Sequence, residues 1–533
     1  MQQEISFVEI AVIGGGPAGL CAALEAANAG ARVVLLDRQD RLGGQLIKQT
    51  HRFFGSRSHR ASERGINIAT ELTGQVISHP LIEALTGATV FGFYEDGVLG
   101  VEQEGRVFYL KPSRVIVATG ASEKTLAFPN NDLPGIYGAG AVQTLVNVYG
   151  ILPGKRVLMV GAGNIGVIVT YQLLQAGMEV AAIVEAAPGI GAYWVHAAKV
   201  RRAGVPIYTS HTIKRACGGR EVEGAVIWQL DEQGQPVPGT EKDFAVDTIC
   251  LSVGLSPLVE LLAQAGCRLA YVPQLGGHVP LRDANLQTTV PGVYVAGDAA
   301  GVEEASAAMM EGALAGLHAA YSLGYGRAGY EARRRELQHQ LDSLRSGPVG
   351  KRFAPGWPGC WPARVWEVKV MLAVDGIPTP EDLAAKTPPP ERLAKGPVVI
   401  AECFQPIPCD PCSHACPRQA IGPFEDINEI PQVDYNKCNG CGQCITRCPG
   451  LALFVVDLTY SEKEALVKLP YEFLPLPAEG QEVAGVNRAG EKVCRARVVK
   501  VVTTEKMDKT AVVWLAVPKE LAMEVRHFVI THV

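Results

Sequence analysis

Eight cysteines lie between residues 403 and 448, and their spacing indicates ligands for iron–sulfur clusters. Cys438, Cys441 and Cys444 recur every three residues, and Cys448 follows with a proline directly after it. In this C-x2-C-x2-C-x3-C-P pattern, three thiolates bind one [4Fe-4S] cube and the fourth binds a second cube. The alternatives are a zinc site or disulfides, but such a dense group favours metal over a spread disulfide framework. The spacing therefore predicts two [4Fe-4S] clusters.

The upstream half of this group is irregular. A regular run would have its first cysteine at position 406, which is Pro406, so Cys403 is the expected replacement over a longer loop. If Cys403 does not ligate, the first site would hold a [3Fe-4S] or labile cluster. With it, the cysteines form two ligand sets. The first ligand set is Cys403, Cys409, Cys412 and Cys448, and the second ligand set is Cys416, Cys438, Cys441 and Cys444.

Two glycine-rich turns have the G-x-G-x-x-G spacing that is typical of dinucleotide-binding folds. In this pattern the first glycine permits a tight turn, and the second lets backbone amides approach a pyrophosphate. The third packs the helix closely on the strand, and the N-terminus of that helix attracts phosphate. The first glycine turn contains Gly14, Gly16 and Gly19, and the second glycine turn contains Gly161, Gly163 and Gly166.

A carboxylate follows each turn at a fixed distance. Asp37 stands 23 residues after Gly14, and Glu185 stands 24 residues after Gly161. A carboxylate at this position accepts hydrogen bonds from ribose hydroxyls and repels a 2′-phosphate, so NAD is expected in preference to NADP at the second turn. The alternative for that turn is a vestigial fold or a bound adenine nucleotide without a redox role.

The elements around the turns predict parallel sheets. A strand, a helix and a strand surround the first turn, and the same unit recurs around the second, which indicates two βαβ units. A β-meander over residues 88–110 feeds a strand at 115–118, and a later strand at 292–296 precedes Gly297 and Asp298. We therefore expect a discontinuous first nucleotide domain with the second inserted into it.

Residues 6–325 resemble the two-dinucleotide-binding-domain flavoproteins of the pyridine nucleotide-disulfide oxidoreductase superfamily. The matching segments are Ile-Gly-Gly-Gly-Pro-Ala-Gly-Leu at 13–20, Ala-Thr-Gly-Ala at 118–121 and Val-Ala-Gly-Asp at 295–298. The resemblance implies FAD at the first glycine turn and NAD(H) at the second. It also implies that Thr119 and Gly120 pass near the FAD and that Asp298, after Gly297, hydrogen-bonds its ribityl and phosphate region. The alternative role of Asp298 is a helix N-cap.

The segment after Asp37 narrows this resemblance. Gly44 and Gln45 belong to a Gly-Gly-Gln-Leu passage that approaches the isoalloxazine in this superfamily, and residues 51–53 are candidates for a substrate or quinone role, or for ordinary packing. No C-x2-C or C-x4-C dithiol precedes Cys403, so the flavin has no disulfide to reduce by exchange. The chain is similar to the flavin subunits of amine and imino-acid dehydrogenases, such as the alpha chain of sarcosine oxidase, the flavoprotein component of hydrogen cyanide synthase and dye-linked proline dehydrogenases.

The predicted fold class is α/β, with two Rossmann-like dinucleotide-binding domains, one inserted in the other, then a ferredoxin-like two-cluster module and a small β-rich C-terminal module. Residues 401–455 resemble two-cluster bacterial ferredoxins. The expected limits are 1–150 with 265–325 for FAD binding, 151–264 for NAD(P) binding, 326–400 for a connecting segment, 401–456 for the clusters and 457–533 for the β-rich module.

The expected function is an FAD-dependent oxidoreductase that relays electrons between NAD(H) and a partner through FAD and two [4Fe-4S] clusters. The alternative is an electron-transfer flavin subunit of an amine or imino-acid dehydrogenase whose substrate site lies on another chain. A scaffold that uses its cofactors only structurally is a third class. No general base or other catalytic residue stands out.

Composition limits the partners. The net charge is −5, and no basic stripe is interleaved with aromatic residues, so nucleic acid is not an expected ligand. No run reaches the roughly 18 apolar residues of a membrane-spanning helix, and the N-terminus has no secretory pattern. We expect a cytoplasmic protein that works with a redox partner or with another dehydrogenase chain, as an oligomer or within a multi-subunit complex.

Overall fold

The computed structural model describes residues 5–352 and 372–530. The described strands are β1 Ile5–Ile13, β2 Val33–Leu36, β3 Ile82–Leu85, β4 Ala88–Phe93, β5 Leu99–Gln103, β6 Arg106–Val117, β7 Ala121–Glu123, β8 Ile136–Gly138, β9 Arg156–Val160, β10 Glu179–Val184, β11 Ile207–Tyr208, β12 His211–Cys217, β13 Gly224–Gln229, β14 Lys242–Phe244, β15 Thr248–Leu251, β16 Leu255–Pro257, β17 Leu269–Val272, β18 Gly277–Pro280, β19 Val293–Val295, β20 Val398–Ala401, β21 Leu453–Asp457, β22 Glu464–Tyr471, β23 Glu482–Val486, β24 Lys492–Val502, β25 Ala511–Pro518 and β26 His527–Val529. The described α-helices are α1 Pro17–Asn28, α2 Gly65–Ser78, α3 Ala139–Tyr149, α4 Asn164–Gln175, α5 Trp194–Arg202, α6 Glu260–Gln264, α7 Ala305–Ser322, α8 Tyr330–Arg345, α9 Leu372–Asp375, α10 Pro380–Ala384, α11 Pro390–Leu393 and α12 Pro411–His414.

The described residues fall into two compact units. The first unit contains residues 5–124 and 254–352, and the second contains residues 125–253 and 372–530. Each unit has its own parallel sheet, as the two predicted βαβ units require. The residue limits expected for the five segments remain predictions.

The sheet of the first unit has the order β3-β2-β1-β6-β5-β4, and β19 also pairs with β6. Strands β3, β2, β1, β6 and β19 run parallel, whereas β4, β5 and the start of β6 form the expected antiparallel meander. The meander and the strand that it feeds are thus joined in one continuous strand, β6. Because the carboxyl ends of parallel strands meet at one edge, the loops after β1, β2, β6 and β19 lie together.

Two glycines let α7 pack closely against α1. A Cβ on Gly312 would collide with the Ala18 carbonyl oxygen, and one on Gly316 would collide with that of Ala22. The four-residue spacing places both glycines on one helix face, so the two backbones can touch. This packing fixes the helix that leaves the first glycine turn.

The second unit repeats the pattern and adds to it. Its parallel sheet has the order β11-β10-β9-β15-β8, beside an antiparallel meander of β12, β13 and β14. A second sheet of seven antiparallel strands has the order β20-β21-β22-β25-β24-β23-β26. Leu451 and Phe473, from the C-terminal part of the chain, pack into the apolar core of the parallel sheet. The cysteine-rich part and the parallel sheet therefore share one core.

The α/β class, the parallel sheets and the β-rich C-terminal region agree with the predicted fold class. The expected connecting segment contains α8, the short helices α9 to α11 and the start of the strand β20. Part of that segment, residues 353–371, lies outside the described residues.

Candidate functional site

The first glycine turn needs two of its three glycines for its own fold. A Cβ on Gly14 (φ +108°) would collide with the Ala118 carbonyl oxygen, and one on Gly19 would collide with the Gly14 carbonyl oxygen. A Cβ on Gly16 would have only one neighbour within 4 Å, the Gly44 Cα at 3.9 Å. Gly16 also has an ordinary φ of −79°. The protein itself thus leaves the space beside Gly16 open, as an approaching pyrophosphate requires.

Asp37 closes this turn from the next strand. Its Oδ2 accepts a hydrogen bond from the Gly15 N–H at 2.6 Å, and its Oδ1 accepts one from the Gln39 N–H at 2.8 Å. The sequence indicated the carboxylate but not these backbone bonds. Asp37 therefore has a role in holding the turn, and its remaining lone pairs can still accept ribose hydroxyls.

The other predicted flavin-site residues lie on the loops at the same sheet edge. Gly44 (φ +52°) packs on the turn, because a Cβ there would lie 2.6 Å from the Gly16 Cα, and the Gln45 side chain is exposed. Thr119 follows β6, and its Oγ1 donates a hydrogen bond to the Leu258 carbonyl at 2.9 Å. Gly120 (φ +76°) has open space around its Cα. Thr119 is thus held in place by the protein, at the edge where the loops after β1 and β2 also lie.

Gly297 and Asp298 follow β19 at this edge and form a short 3-10 turn. Helix α7 begins only at Ala305, so Asp298 is not its N-cap. The Asp298 carboxylate accepts a weak hydrogen bond from the Glu303 N–H at 3.4 Å. Burial raises the pKa of Asp298 to about 7, and the nearby Glu311 carboxylate also acts to raise it. A ligand with hydroxyl donors would stabilise the charged form of this carboxylate.

A buried ion-pair network supports this turn, and the sequence analysis missed it. The Gly297 N–H donates to Glu311 Oε2 at 2.9 Å, and Arg345 Nη2 donates to Glu311 Oε1 at 2.7 Å. Arg345 also binds both carboxylate oxygens of Glu303, at 2.7 and 3.0 Å. The signal was present, because Glu311 is the one acidic or basic residue, a histidine aside, in the mostly apolar sequence of α7. A charge in such a helix is buried only with partners.

The second glycine turn has the same construction. A Cβ on Gly161 (φ +109°) would collide with the Ser252 carbonyl oxygen, and one on Gly166 would collide with that of Gly161, but a Cβ on Gly163 would meet nothing within 4 Å. Glu185 Oε2 accepts from the Ala162 N–H at 2.7 Å, as Asp37 does in the first turn. The open space at the middle glycine and the carboxylate brace are therefore common to both turns.

Residues 189–193 pass beside the second turn, which the sequence did not indicate. The Ala192 N–H donates to the Ala162 carbonyl at 2.9 Å, and the Tyr193 N–H donates to Asn164 Oδ1 at 2.8 Å. Helix α5 begins with the next residue, Trp194, whose N–H donates to Gln405 Oε1 at 3.0 Å. The segment beside the second turn is thus tied to the cysteine-rich part of the same unit.

The described cysteines are all free thiols, and eight of them converge within the second unit. Burial raises the pKa of Cys409 well above its usual value, and its further influences are Cys412, Cys448 and Cys403. Burial likewise raises the pKa of Cys444, followed by the effects of Cys438, Cys441 and Cys416. The strongest thiol neighbours in these two cases are the members of the two predicted ligand sets.

The donor chemistry fits iron–sulfur clusters. Burial raises the pKa of Cys403 to about 12, so ionising such thiols without a bound cation would be costly. Across the part of the chain that the structure describes, no three His, Cys, Asp or Glu side chains are close enough together to hold one metal ion. A cube meets this spacing, since each thiolate binds a different iron. Cys441 is the exposed member of the eight.

Backbone amides also point at the sulfurs. The Ala420 N–H donates to Cys416 Sγ at 3.2 Å, and the Ala452 N–H donates to Cys448 Sγ at 3.4 Å. Each donor lies four residues after the cysteine of a Cys-Pro pair, so the two halves of the module are arranged alike. Hydrogen bonds to cluster sulfurs are one means by which proteins set reduction potentials.

Two family models match the chain. The pyridine nucleotide-disulphide oxidoreductase model matches residues 8–312, and the 4Fe-4S dicluster domain model matches residues 407–452, a range that excludes Cys403. Within residues 5–352 and 372–530, no helix has the length and apolarity to cross a membrane.

Curated relatives and solved structures agree with these matches. The alpha chain of sarcosine oxidase from Rhizobium meliloti strain 1021 is 27% identical over 57% of this chain and 30% of the relative. The larger match in the opine oxidase of Agrobacterium tumefaciens strain Ach5, to its A component, is 29% identical over 59% of this chain and 65% of the relative. The chain thus spans less than two thirds of either relative. A thioredoxin reductase from T. acidophilum shares the fold, with a TM-score of 0.50, 22% identity and coverage of 60% of this chain and 99% of that chain.

The glycine turns, the braced carboxylates and the family match over more than half of the sequence agree with one another. The chain is an FAD-dependent oxidoreductase with a 4Fe-4S domain, and it belongs to the pyridine nucleotide-disulphide oxidoreductase family.

Proposed function

We propose that this chain relays electrons between NAD(H) and a partner protein, with FAD at the first glycine turn and two [4Fe-4S] clusters in the cysteine module. When bound, FAD exchanges two electrons with a nicotinamide and single electrons with the clusters. The observation that carries the proposal is the open space beside Gly163. Neither packing nor backbone conformation requires glycine there, since its φ is −74°, so a ligand is the reason for the missing side chain.

At the first turn, the backbone amides near Gly16 and the N-terminus of α1 would bind the pyrophosphate of FAD. Asp37 would accept ribose hydroxyls with the lone pairs that it does not use for Gly15. Asp298 would accept from the ribityl chain, while Glu311 holds the adjacent Gly297 N–H in place.

At the second turn, Glu185 favours a free 2′-hydroxyl and therefore NAD(H) over NADP(H). Its carboxylate already accepts two backbone N–H bonds, from Ala162 and Ala187. These bonds fix the carboxylate as a charged acceptor at the end of β10. A 2′-phosphate would meet this negative charge at close range.

The two ligand sets would each hold one cluster, with Cys403 as a ligand of the first. Its support is the effect of the Cys448 thiol on the pKa of Cys403, after that of burial, and the reciprocal effects on Cys409 and Cys412. The exposed Cys441 gives the second ligand set a surface where a partner protein can contact it.

An anaerobic absorbance titration with NADH and then NADPH tests the proposal. We expect NADH to bleach the flavin bands of the holoprotein and then the broad cluster absorbance. Gly163→Val should keep FAD and iron but lose most bleaching by NADH, because its side chain fills the space beside the second turn. Gly16→Val is the matched control and should lose FAD itself. If NADH bleaches the flavin of Gly163→Val as it does the wild type, the second turn does not bind the electron donor.

A second candidate has support from the relatives. Both belong to oxidases named for sarcosine and for opines, so this chain is a candidate for the flavin subunit of an amine or imino-acid dehydrogenase with its substrate site on another chain. The nucleotide at the second turn would then have a structural role. Reduction by dithionite but by neither NADH nor NADPH, together with reduction by an amine in the presence of a partner subunit, would support this candidate.

A further inference from the structure

A buried arginine from outside the cysteine module contacts the loop that carries Cys448. Arg202, the last residue of α5, is 6% exposed, and its Nη2 donates to the Leu451 carbonyl at 3.0 Å. Its guanidinium lies over the Phe454 ring, 5.2 Å from the centroid. Among the described residues, no carboxylate lies within 4 Å of it. Arg202 is thus a buried cation that contacts a carbonyl and an aromatic ring.

A buried lysine has matching contacts on the other side of the module. Lys468, on β22, is 7% exposed, and its Nζ donates to the Gly440 carbonyl at 2.8 Å, one residue before Cys441. The ammonium lies 4.3 Å from the Trp514 ring centroid. In the described part of the chain it too has no carboxylate within ion-pair distance. Each ligand set therefore has one buried cation beside it.

The thiols and these cations influence one another. Burial raises the pKa of Cys448, and the Arg202 charge opposes this effect. Burial lowers the pKa of Lys468, and the Cys441 and Cys438 thiols oppose it. The carboxylate that most influences Arg202, that of Glu402, is already bonded to two other arginines. A buried charge without a counter-ion is costly, so these two positions call for a nearby anion.

We propose that Arg202 and Lys468 are the counter-ions of the two iron–sulfur clusters, one each, and that they raise the reduction potentials of those clusters. The proposal rests on the proposed ligand sets. Each cluster gains one electron on reduction, its net negative charge grows by one, and no bond forms or breaks. A fixed cation stabilises the more negative reduced state, so its removal must lower the potential. Arg202 acts on the first ligand set and Lys468 on the second.

Redox titration of the full-length reconstituted protein, followed by electron paramagnetic resonance, tests this assignment. We expect two one-electron waves in the wild type. Arg202→Met should lower one wave, and Lys468→Met should lower the other, each by at least a tenfold change in the equilibrium constant, which is about 59 mV for one electron. Arg202→Lys and Lys468→Arg keep the charge and should keep the wild-type potentials.

Iron and sulfide content separates the possible failures. If Arg202→Met does not assemble its clusters, Arg202→Gln retains an N–H donor for Leu451 without the charge, and it should shift the same wave. A wild type without two clusters would contradict the ligand sets and not the counter-ions. Two clusters whose potentials do not move, or one wave that moves in both neutral variants, would overturn the counter-ion assignment.

Discussion

The Arg345 network gives a prediction whose size follows from the structure. The Arg345 side chain is 14% exposed, and its partners Glu303 and Glu311 are 10% and 4% exposed. Arg345→Met would leave both carboxylates buried without their cation. Removing one partner of a buried ion pair costs about 3–5 kcal/mol, so we expect a loss of that order in the free energy of unfolding of the first unit. The Gly297–Asp298 turn should loosen, and FAD should bind less tightly.

The pH dependence has a definite sign. Burial already raises the pKa of Glu303, and Arg345 is the main influence that lowers it. Without Arg345 this folded-state pKa rises further above its unfolded value. The protonated carboxyl is then favoured in the folded protein, so stability is retained below the unfolded pKa and is lost as pH rises through the folded one. The loss caused by Arg345→Met should therefore be larger at pH ~8 than at pH ~5.5.

Urea unfolding, followed by the release of FAD fluorescence, measures this loss at both pH values. Arg333→Met is the matched control on the same helix, α8. Arg333 is 40% exposed in its pair with Glu25, so its removal should cost about 1 kcal/mol or less. Equal losses for the two variants, or a loss for Arg345→Met that grows toward low pH, would refute the reasoning.

Three further variants test the site. Asp37→Asn removes the charged acceptor of the Gly15 N–H and should weaken FAD binding by about 1.5–3 kcal/mol in a fluorescence titration; unchanged affinity would contradict the role of the brace. Cys403→Ser should lower the iron content and leave one cluster intact, whereas Cys494→Ser should retain all iron; equal iron in both would remove Cys403 from the first ligand set. Glu185→Ala should narrow the preference for NADH over NADPH in stopped-flow reduction, and an unchanged ratio would show that another group selects the nucleotide.

Much of the site could be predicted because its chemistry depends on local spacing. The G-x-G-x-x-G turns and the C-x2-C-x2-C run are short, and each residue has its role within a few positions of the others. The α/β fold followed from the strand and helix pattern around Gly14 and Gly161. The structure adds that the first and third glycines serve the fold, which leaves Gly16 and Gly163 to serve the ligand.

The remaining features depend on contacts between distant parts of the chain. Arg202 and Leu451 are 249 residues apart, and no periodic pattern links them. Glu311 and Arg345 lie on different helices, so only their packing shows that they support Gly297. The segment beside the second turn reaches Gln405 through a single backbone bond. Sequence spacing records neighbours along the chain, whereas these contacts come from tertiary packing.

The exposure of Cys441 has a consequence for how the protein withstands air. A thiolate at the surface can be reached by dioxygen and peroxide, whereas Cys412 and Cys444 are 9% and 7% exposed. Oxidative damage should therefore begin at the second ligand set and reach the first later. A sample handled aerobically would pass through a species that has lost only half of its iron, and its remaining colour would come from the sheltered half of the module.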